Sequence, residues 1–405
     1  MSSLPRTPSI NPPLSAKSSV PPGSDADAVG TLDQLLVRAL SVGGSDLHLE
    51  PKEDSIRVRI RVDGVMVDQP ALPLALCTQL VSRIKVMARM DIAERRNPQD
   101  GMFKLEVAGK PVSVRASTFP CVDGEKVVLR LHGSTAVMPI DRLGMTGTQS
   151  KLAEQLIARP GGLVLCTGPT GSGKTSTLYA LLATLDTVAR NVVTLEDPIE
   201  VQLPQVTQAQ VQPKVGFTFA NGLRAILRQD PDVILVGEMR DEETASIALQ
   251  AGLTGHLVLS TLHTGSSIET ISRLIDIGIV PHTVANALNG VICQRLVRRP
   301  CAKCAEPYEL DRDVTEEVGF ALPLGAKLLG VNGCDACLHT GYRGRVGIYE
   351  VVPINDRLRS AIKRGNDTPL LKQILREQGI PTLRRAGMAL ALRGGTTPNE
   401  VLRVT

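Results

Sequence analysis

Residues 163–175 read Leu163-Val-Leu-Cys-Thr-Gly168-Pro-Thr-Gly-Ser-Gly-Lys174-Thr175. Leu163 to Cys166 form a short unbroken apolar run, the pattern of a strand buried on both faces. The eight residues from Gly168 fit G-x-x-x-x-G-K-[ST], and beyond them Tyr179 and Leu182 continue as a helix. Strand, glycine loop and helix in that order make a phosphate cradle. Gly168, Gly171 and Gly173 let the backbone turn its N–H groups inward, at a helix N-terminus that already favours anions. Pro169, Thr170, Ser172 and Ser176 complete the loop and its first helical turn. In this pattern Lys174 bridges the β- and γ-phosphates of a nucleotide and the Thr175 hydroxyl ligates Mg²⁺. A glycine-rich turn matched by chance would lack the flanking strand and helix. No Asn-Lys-x-Asp guanine motif follows, which points to ATP rather than GTP.

The surrounding sequence extends the same fold. Val192-Val-Thr194, Val233-Ile-Leu-Val236 and Leu257-Val-Leu-Ser260 are further apolar runs. Helical segments separate several of them, among them Glu242–Gln250 with Ala245, Ala248 and Leu249 on one side. That alternation predicts an α/β domain with a parallel sheet. Asp230-Pro-Asp232 precedes the run at 233–236 and Gly237-Glu238 follows it. A carboxylate at a buried strand end suits a Mg²⁺ shell, and a second suits alignment and deprotonation of an attacking water. Glu238 is assigned to the water and Asp232 to the metal shell. The competing reading of Glu238 is a helix-capping acid beside Arg240 and Asp241. Thr194-Leu-Glu196-Asp197-Pro-Ile-Glu200 adds acids just past a core strand, where open α/β sheets build their sites, and makes Glu196 a catalytic candidate. Thr254-Gly-His256 and Thr261-Leu-His263-Thr264 flank the last strand. His263, at its carboxyl end, is the candidate γ-phosphate sensor; for His256 a structural role stands on equal footing.

Elsewhere the chain is less uniform. Residues 1–28 hold 6 Pro and 7 Ser. They cannot bury enough apolar surface to offset ordering, so a disordered tail is expected. Leu32, Leu35, Leu36, Ala39 and Leu40 then recur at helical spacing until Gly43-Gly44. Ser55-Ile-Arg-Val-Arg-Ile-Arg-Val-Asp63 alternates strictly, with Ile56, Val58, Ile60 and Val62 on one side and Arg57, Arg59 and Arg61 on the other. Asp63-Gly64 is a hairpin turn signal. A helix around Leu80–Met90, a turn at Pro98-Gln-Asp-Gly101 and strands near Phe103–Val107, Val112–Ser117 and Lys126–Leu131 complete a small α+β domain over residues 29–135. A linker at 136–150 leads to the nucleotide domain at 151–405, whose residues 350–405 return to helix. Within 296–345, Cys301-Ala-Lys-Cys304 and Cys334-Asp-Ala-Cys337 are C-x₂-C pairs separated by 29 residues. Four thiolates on two knuckles suit tetrahedral Zn²⁺ with no open position, a structural site. Two unrelated pairs of reduced thiols are the alternative. Cys77, Cys121, Cys166 and Cys293 lie in or beside apolar stretches and read as small core residues.

Composition narrows the function further. The 405 residues are 42% hydrophobic and 21% charged, a globular chain of two or three domains. Aromatics are only 2%, which argues against reading single strands by stacking bases on rings. A net charge of +4 is too weak to imply a nucleic-acid partner. No apolar run approaches the ~20 residues of a membrane span. The N-terminus lacks the apolar core of a signal peptide, so a cytoplasmic location is expected, with cysteines reduced or metal-bound.

Taken in order, the P-loop at 168–175, the acidic box at 194–200, the segment at 230–241 and the histidine box at 254–264 resemble the secretion ATPases of type II secretion and type IV pilus assembly. Ser45-Asp-Leu-His-Leu-Glu-Pro51, Pro98-Gln-Asp-Gly101 and Gly341-Tyr-Arg-Gly-Arg345 extend the likeness from about residue 30 to the C-terminus. The resemblance implies an α/β protein in which a PAS-like N-terminal domain precedes a RecA-like ATPase domain with an inserted zinc module. ATP would lie in the cleft between the two domains of a hexameric ring. It assigns Arg115 and Arg130 to the phosphates, a role worth roughly 10³–10⁵ in rate in other NTPases. Arg57, Arg59 and Arg61 match the family strand too, and a solvated strand face accounts for any one of them as well. In the family the tetracysteine module accompanies assembly and secretion members and is absent from retraction members, which favours filament extension. Implied partners are five further copies of the chain, an inner-membrane platform protein and an adaptor. Peripheral association with the bacterial inner membrane follows, and no nucleic acid is expected. Two departures stand out: Gly265-Ser266 replaces the usual Asn-Asp, and a Pro/Ser-rich tail stands where members often carry a further membrane-docking domain, so recruitment by that route is not expected. Three alternatives remain. They are a DNA-uptake pseudopilus ATPase, a RecA-like nucleic-acid translocase opposed by the few aromatics and modest charge, and a silent nucleotide-binding scaffold opposed by intact Lys174, Thr175 and Glu238.

Overall fold

Asp27 opens the first element: its carboxylate accepts from the N–H groups of Val29 and Gly30 and so caps α1 (Ala28–Ser41). The structure is a computed structural model describing residues 27–107, 110–133, 137–310, 313–365 and 367–405. Residues 1–26 of the expected tail lie outside them. The described residues divide into two compact units, one built mainly on the chain before residue 137 and the other on the chain after it.

In the first unit, α1 is followed by β1 (Gly44–Pro51), β2 (Ser55–Val62), β3 (Val65–Pro73), α2 (Cys77–Met87), β4 (Gln99–Val107), β5 (Lys110–Cys121) and β6 (Gly124–Gly133). The strands form one antiparallel sheet in the order β3-β2-β1-β6-β5-β4. The alternation read at residues 55–62 is realised: Ile56, Val58 and Ile60 are buried with Leu47, Leu49, Val114 and Leu129 against Leu32 and Leu36 of α1 and Leu80 and Ile84 of α2. Each such side chain contributes about 1.5–3 kcal/mol by leaving water. One expectation changes. Gln99, Asp100 and Gly101 begin β4 instead of forming a turn. Gly101 is needed for closeness, since a Cβ there would stand 2.3 Å from the Ala88 carbonyl oxygen just past α2.

The second unit begins with α3 (Gly147–Ile157), entered through a capping box between Thr146 and Gln149. Then come β7 (Gly162–Thr167), α4 (Lys174–Leu182), β8 (Val192–Glu196), β9 (Thr207–Gln210), α5 (Phe219–Ile226), β10 (Val233–Val236), α6 (Glu242–Leu253) and β11 (Leu257–Leu262). After them run α7 (Ser267–Asp276), α8 (Pro281–Ala287), β12 (Leu288–Pro300), β13 (Ala305–Glu309), α9 (Thr315–Val318), β14 (Lys327–Val331) and β15 (Tyr342–Pro353). Four helices end the chain: α10 (Asp356–Lys363), α11 (Thr368–Glu377), α12 (Leu383–Leu392) and α13 (Pro398–Val404).

A seven-stranded sheet runs β15-β12-β7-β11-β10-β8-β9, with the six strands from β12 to β9 parallel. Its central strands are buried throughout, and largely apolar, because both faces are covered. Leu163, Leu165, Ile234, Val236 and Val258 enter one core with α5, α6, α7 and α8. Val164, Cys166, Val233, Leu235, Leu257 and Leu259 enter the other with α3 and α4. No described helix is long and apolar enough to cross a membrane.

Candidate nucleotide site

Because β7, β10 and β11 are parallel, their carboxyl ends open on one edge, and the glycine loop leaves β7 there. Gly168 takes φ +152°, and a Cβ on it would stand 2.5 Å from Ser172 Oγ and 2.6 Å from the Gln294 carbonyl oxygen. Gly173, at φ 89°, turns the chain into α4. Among the described residues no side chain caps that helix, whereas α5, α6 and α7 are capped by Thr218, Asp241 and Ser266. The N–H groups of the first turn of α4 are thus left for an anion. Ser172 Oγ, buried with no hydrogen-bond partner among the described residues, adds a polar group that a ligand can satisfy. Lys174 is buried and donates from Nζ to the carbonyls of Gly168 at 2.8 Å and Pro169 at 3.1 Å. Burial lowers its pKa, and Glu238 opposes that shift. Thr175 and Ser176 are exposed at the head of α4.

Glu238 lies two residues past β10, on the same edge. Its Oε1 pairs with Arg240 Nη2 at 2.5 Å, and its Oε2 faces His263 Nε2 at 3.5 Å. The capping role belongs to Asp241, whose Oδ1 accepts from Thr244 N at 2.8 Å, so Glu238 is not the helix-capping acid. Beyond His263, Ser266 caps α7 and the Thr264 hydroxyl bonds that of Thr270 at 2.7 Å, so this loop is ordered with Gly265-Ser266 in place.

The structure does not bring Asp232 to this edge. Asp232 precedes β10, at its amino end, and its Oδ2 accepts from Asn191 N at 2.7 Å. Four strand residues carry the chain roughly 13 Å, so a metal shell at Thr175 is out of its reach. Glu196 ends β8 and is buried. It accepts from the Tyr179 hydroxyl, from Thr194 Oγ1 at 2.6 Å and from Gln208 Nε2 at 3.1 Å. Burial and then the Glu196 hydrogen bond push the Tyr179 phenol well above its usual range. Glu196 thus ties β8 to the P-loop helix. His256, at the amino end of β11, has Nδ1 3.1 Å from the Ala251 carbonyl, a structural position.

Three residues at this edge escaped the sequence reading. Arg240 was visible but assigned no role. Gln294 and Arg295 lie on β12, which pairs with β7. Arg295 donates from Nη2 to the Gly265 carbonyl at 2.8 Å, and Gln294 Nε2 donates to the Ser172 carbonyl at 2.6 Å. The available signal was a lone amide in the apolar run Val291-Ile-Cys-Gln294.

In the first unit, Arg115 and Arg130 are cross-strand partners on β5 and β6, both exposed. Arg130 Nε bonds Asp46 Oδ1 at 2.8 Å. Arg115 has no ion-pair partner among the described residues. Arg57 pairs with Asp68 at 2.8 Å, Arg59 with Glu50 at 2.6 Å, and Arg61 donates to the Gly64 carbonyl at 3.0 Å. Burial alone would raise Glu50, but Arg59 and Lys126 hold it down at about 2.

The sulfur atoms of Cys301, Cys304, Cys334 and Cys337 all lie within 4.8 Å of one another, with Cys334 and Cys337 3.8 Å apart. Zinc–thiolate bonds of about 2.3 Å in a tetrahedron place sulfurs about 3.8 Å apart, so the four residues fit that ion. Of the other cysteines, Cys166 and Cys293 are buried and Cys77 half-buried, whereas Cys121 is exposed beside a hairpin turn and is not a core residue.

A profile described as type II/IV secretion system protein matches residues 24–403. Type II secretion system protein E of Klebsiella pneumoniae is 50% identical over 383 residues, covering 94% of this chain and 76% of that protein. Type II secretion system ATPase E of Vibrio cholerae is 45% identical over 382 residues, with the same coverage of 94% and 76%. Among solved structures, the pilus retraction motor PilT with bound ADP aligns at a TM-score of 0.62 and 27% identity, over 92% of this chain and 96% of that one. With its P-loop edge intact and nearly its whole length matched, the chain belongs to the type II/IV secretion system protein family.

Proposed function

We propose that the chain is an ATP hydrolase that powers assembly of a pseudopilus or pilus in type II secretion or type IV pilus biogenesis. One observation carries the reading: at the carboxyl edge of the parallel sheet that carries the P-loop, Glu238 Oε2 faces His263 Nε2 at 3.5 Å, and Lys174 begins a helix that no described side chain caps. A triphosphate there would accept from the N–H groups of Gly171, Gly173, Lys174 and Thr175 and from the Lys174 ammonium. Arg240 holds one oxygen of Glu238, leaving the other to orient a water toward the γ-phosphate, which His263 would read. Thr175 would hold Mg²⁺ together with the nucleotide, and the ion would supply charge neutralisation on the phosphate oxygens. The relatives named as secretion proteins support the same assignment.

The finer reading goes with it. The first unit is a PAS-like domain at 29–135 and the second a RecA-like domain at 151–405. Six copies form a ring in which Arg115 and Arg130 reach the phosphates. Zn²⁺ at the four cysteines is structural. The ring works against an inner-membrane platform protein through an adaptor, peripheral to that membrane. The test is steady-state phosphate release by the purified chain. Turnover should require Mg²⁺, and Lys174→Ala should lower kcat/KM by about a hundredfold or more. Turnover by Lys174→Ala at the wild-type rate would contradict the assignment.

A further inference from the structure

Gln294 is fully buried in β12. A primary amide so placed is costly unless both of its ends are paired. The Ser172 carbonyl can only accept, so the end facing it at 2.6 Å must be the NH₂ group. That orientation aims Oε1 at Cys166, whose thiol donates to it at 2.9 Å. The thiol is a stable donor there, because burial pushes its pKa far above the ordinary range. Register places Cys166 opposite Ile292 and Thr167 opposite Cys293, so Gln294 lies one step beyond the end of β7, beneath the glycine loop. The same residue bounds the loop twice more. A Cβ on Gly168 would stand 2.6 Å from its carbonyl oxygen, and one on Gly173 would stand 3.1 Å from its Nε2.

Peptide geometry gives this floor a consequence. In a trans peptide the C=O and the following N–H point in opposite directions. Pinning the Ser172 carbonyl down onto Gln294 therefore turns the Gly173 N–H away from the floor, toward the concave side of the loop. We infer that Gln294 is a positioning residue for nucleotide binding, which fixes the Ser172–Gly173 peptide so that its N–H faces the bound phosphate, and that the Cys166 thiol sets the orientation of its amide. This rests on the P-loop reading above. It adds to that reading a residue more than a hundred positions away in sequence.

The experiment uses the full-length chain and a fluorescent N-methylanthraniloyl-ADP probe, with ATP turnover measured on the same preparations. Gln294→Met keeps the length of the side chain and removes both hydrogen bonds. It should raise the probe Kd and the ATP KM about tenfold while kcat stays within about threefold. A residue that merely supports the fold would lower the unfolding temperature and leave Kd and KM at wild-type values, and that result overturns the inference. Should Gln294→Met fail to fold, Cys166 provides the test. Cys166→Ala should raise Kd about threefold and Cys166→Ser, whose hydroxyl donates to the same oxygen, should restore it. Wild-type affinity in Cys166→Ala then counts against the inference. Lys174→Ala separates the two readings. If it binds the probe normally, the site assignment fails and this inference falls with it. If it loses the probe while Gln294→Met keeps it, only the role of Gln294 is refuted.

Discussion

Glu238 and Asp232 bracket the same four-residue strand and end on opposite edges of the sheet. Both carboxylates were legible in the sequence, and so was the strand. Their ranking required a direction that composition does not carry: β10 runs parallel to β7, so only the residue after the strand shares the edge with the P-loop. Asp232 instead accepts one hydrogen bond from Asn191 N, at an exposed position. Asp232→Asn should therefore leave KM and kcat for ATP within about threefold and cost about 1 kcal/mol or less of stability. Kinetics and thermal unfolding check this, and a hundredfold fall in kcat would return Asp232 to the metal shell. His256 and His263 divide in the same way, one at each end of β11. Gln294 and Arg295 were illegible for another reason. Their importance lies in which carbonyls they reach, Ser172 and Gly265, and those contacts exist only once β12 lies beside β7.

The strands at 163–166, 192–194, 233–236 and 257–260 could be read because a doubly covered parallel sheet leaves continuous apolar runs. The flank formed by β12 and β15 could not, since each carries a buried polar side chain that breaks the run. Gln294 serves the P-loop, and Glu350 accepts from the N–H and hydroxyl of Ser267. The C-terminal element is held by a similar device. Glu400 of α13 is buried, bonds Arg298 Nη2 at 2.6 Å and the Arg298 N–H at 3.0 Å, and pairs with Arg403 at 2.6 Å. Burial would raise its pKa from 4.5, but the hydrogen bonds to Arg403 and Arg298 hold it at about 2. The folded pKa is depressed, so this stabilisation is fully present above about 4.5, and it is lost as pH falls from there toward 2. Glu400→Gln should destabilise by about 3–5 kcal/mol at pH 7, because Arg298 stays buried with its charge partner removed. Its deficit against wild type should shrink between pH 4.5 and 2. Denaturation across that range checks the sign, and a deficit independent of pH would contradict it.

For the whole molecule, the sequence conveyed one α+β unit and one α/β unit because alternating and continuous apolar runs differ at a glance. Its motifs, in their order, conveyed the family, which the match over residues 24–403 establishes. The arginines were the least legible feature at this scale. Both arginines are exposed, but Arg130 is engaged by Asp46 within its own sheet whereas Arg115 has no ion-pair partner among the described residues, so the two start from different positions as candidates for a phosphate contact in a ring. Everything in the proposed motor depends on hydrolysis at the sheet edge that carries both Lys174 and Glu238. The most direct measurement is made on Glu238→Gln, with nucleotide occupancy and phosphate release followed in one sample. The account predicts ATP bound at wild-type affinity and turnover lowered by about a thousandfold, several kcal/mol of barrier. Phosphate release near the wild-type rate would remove Glu238 from the chemistry and contradict the account.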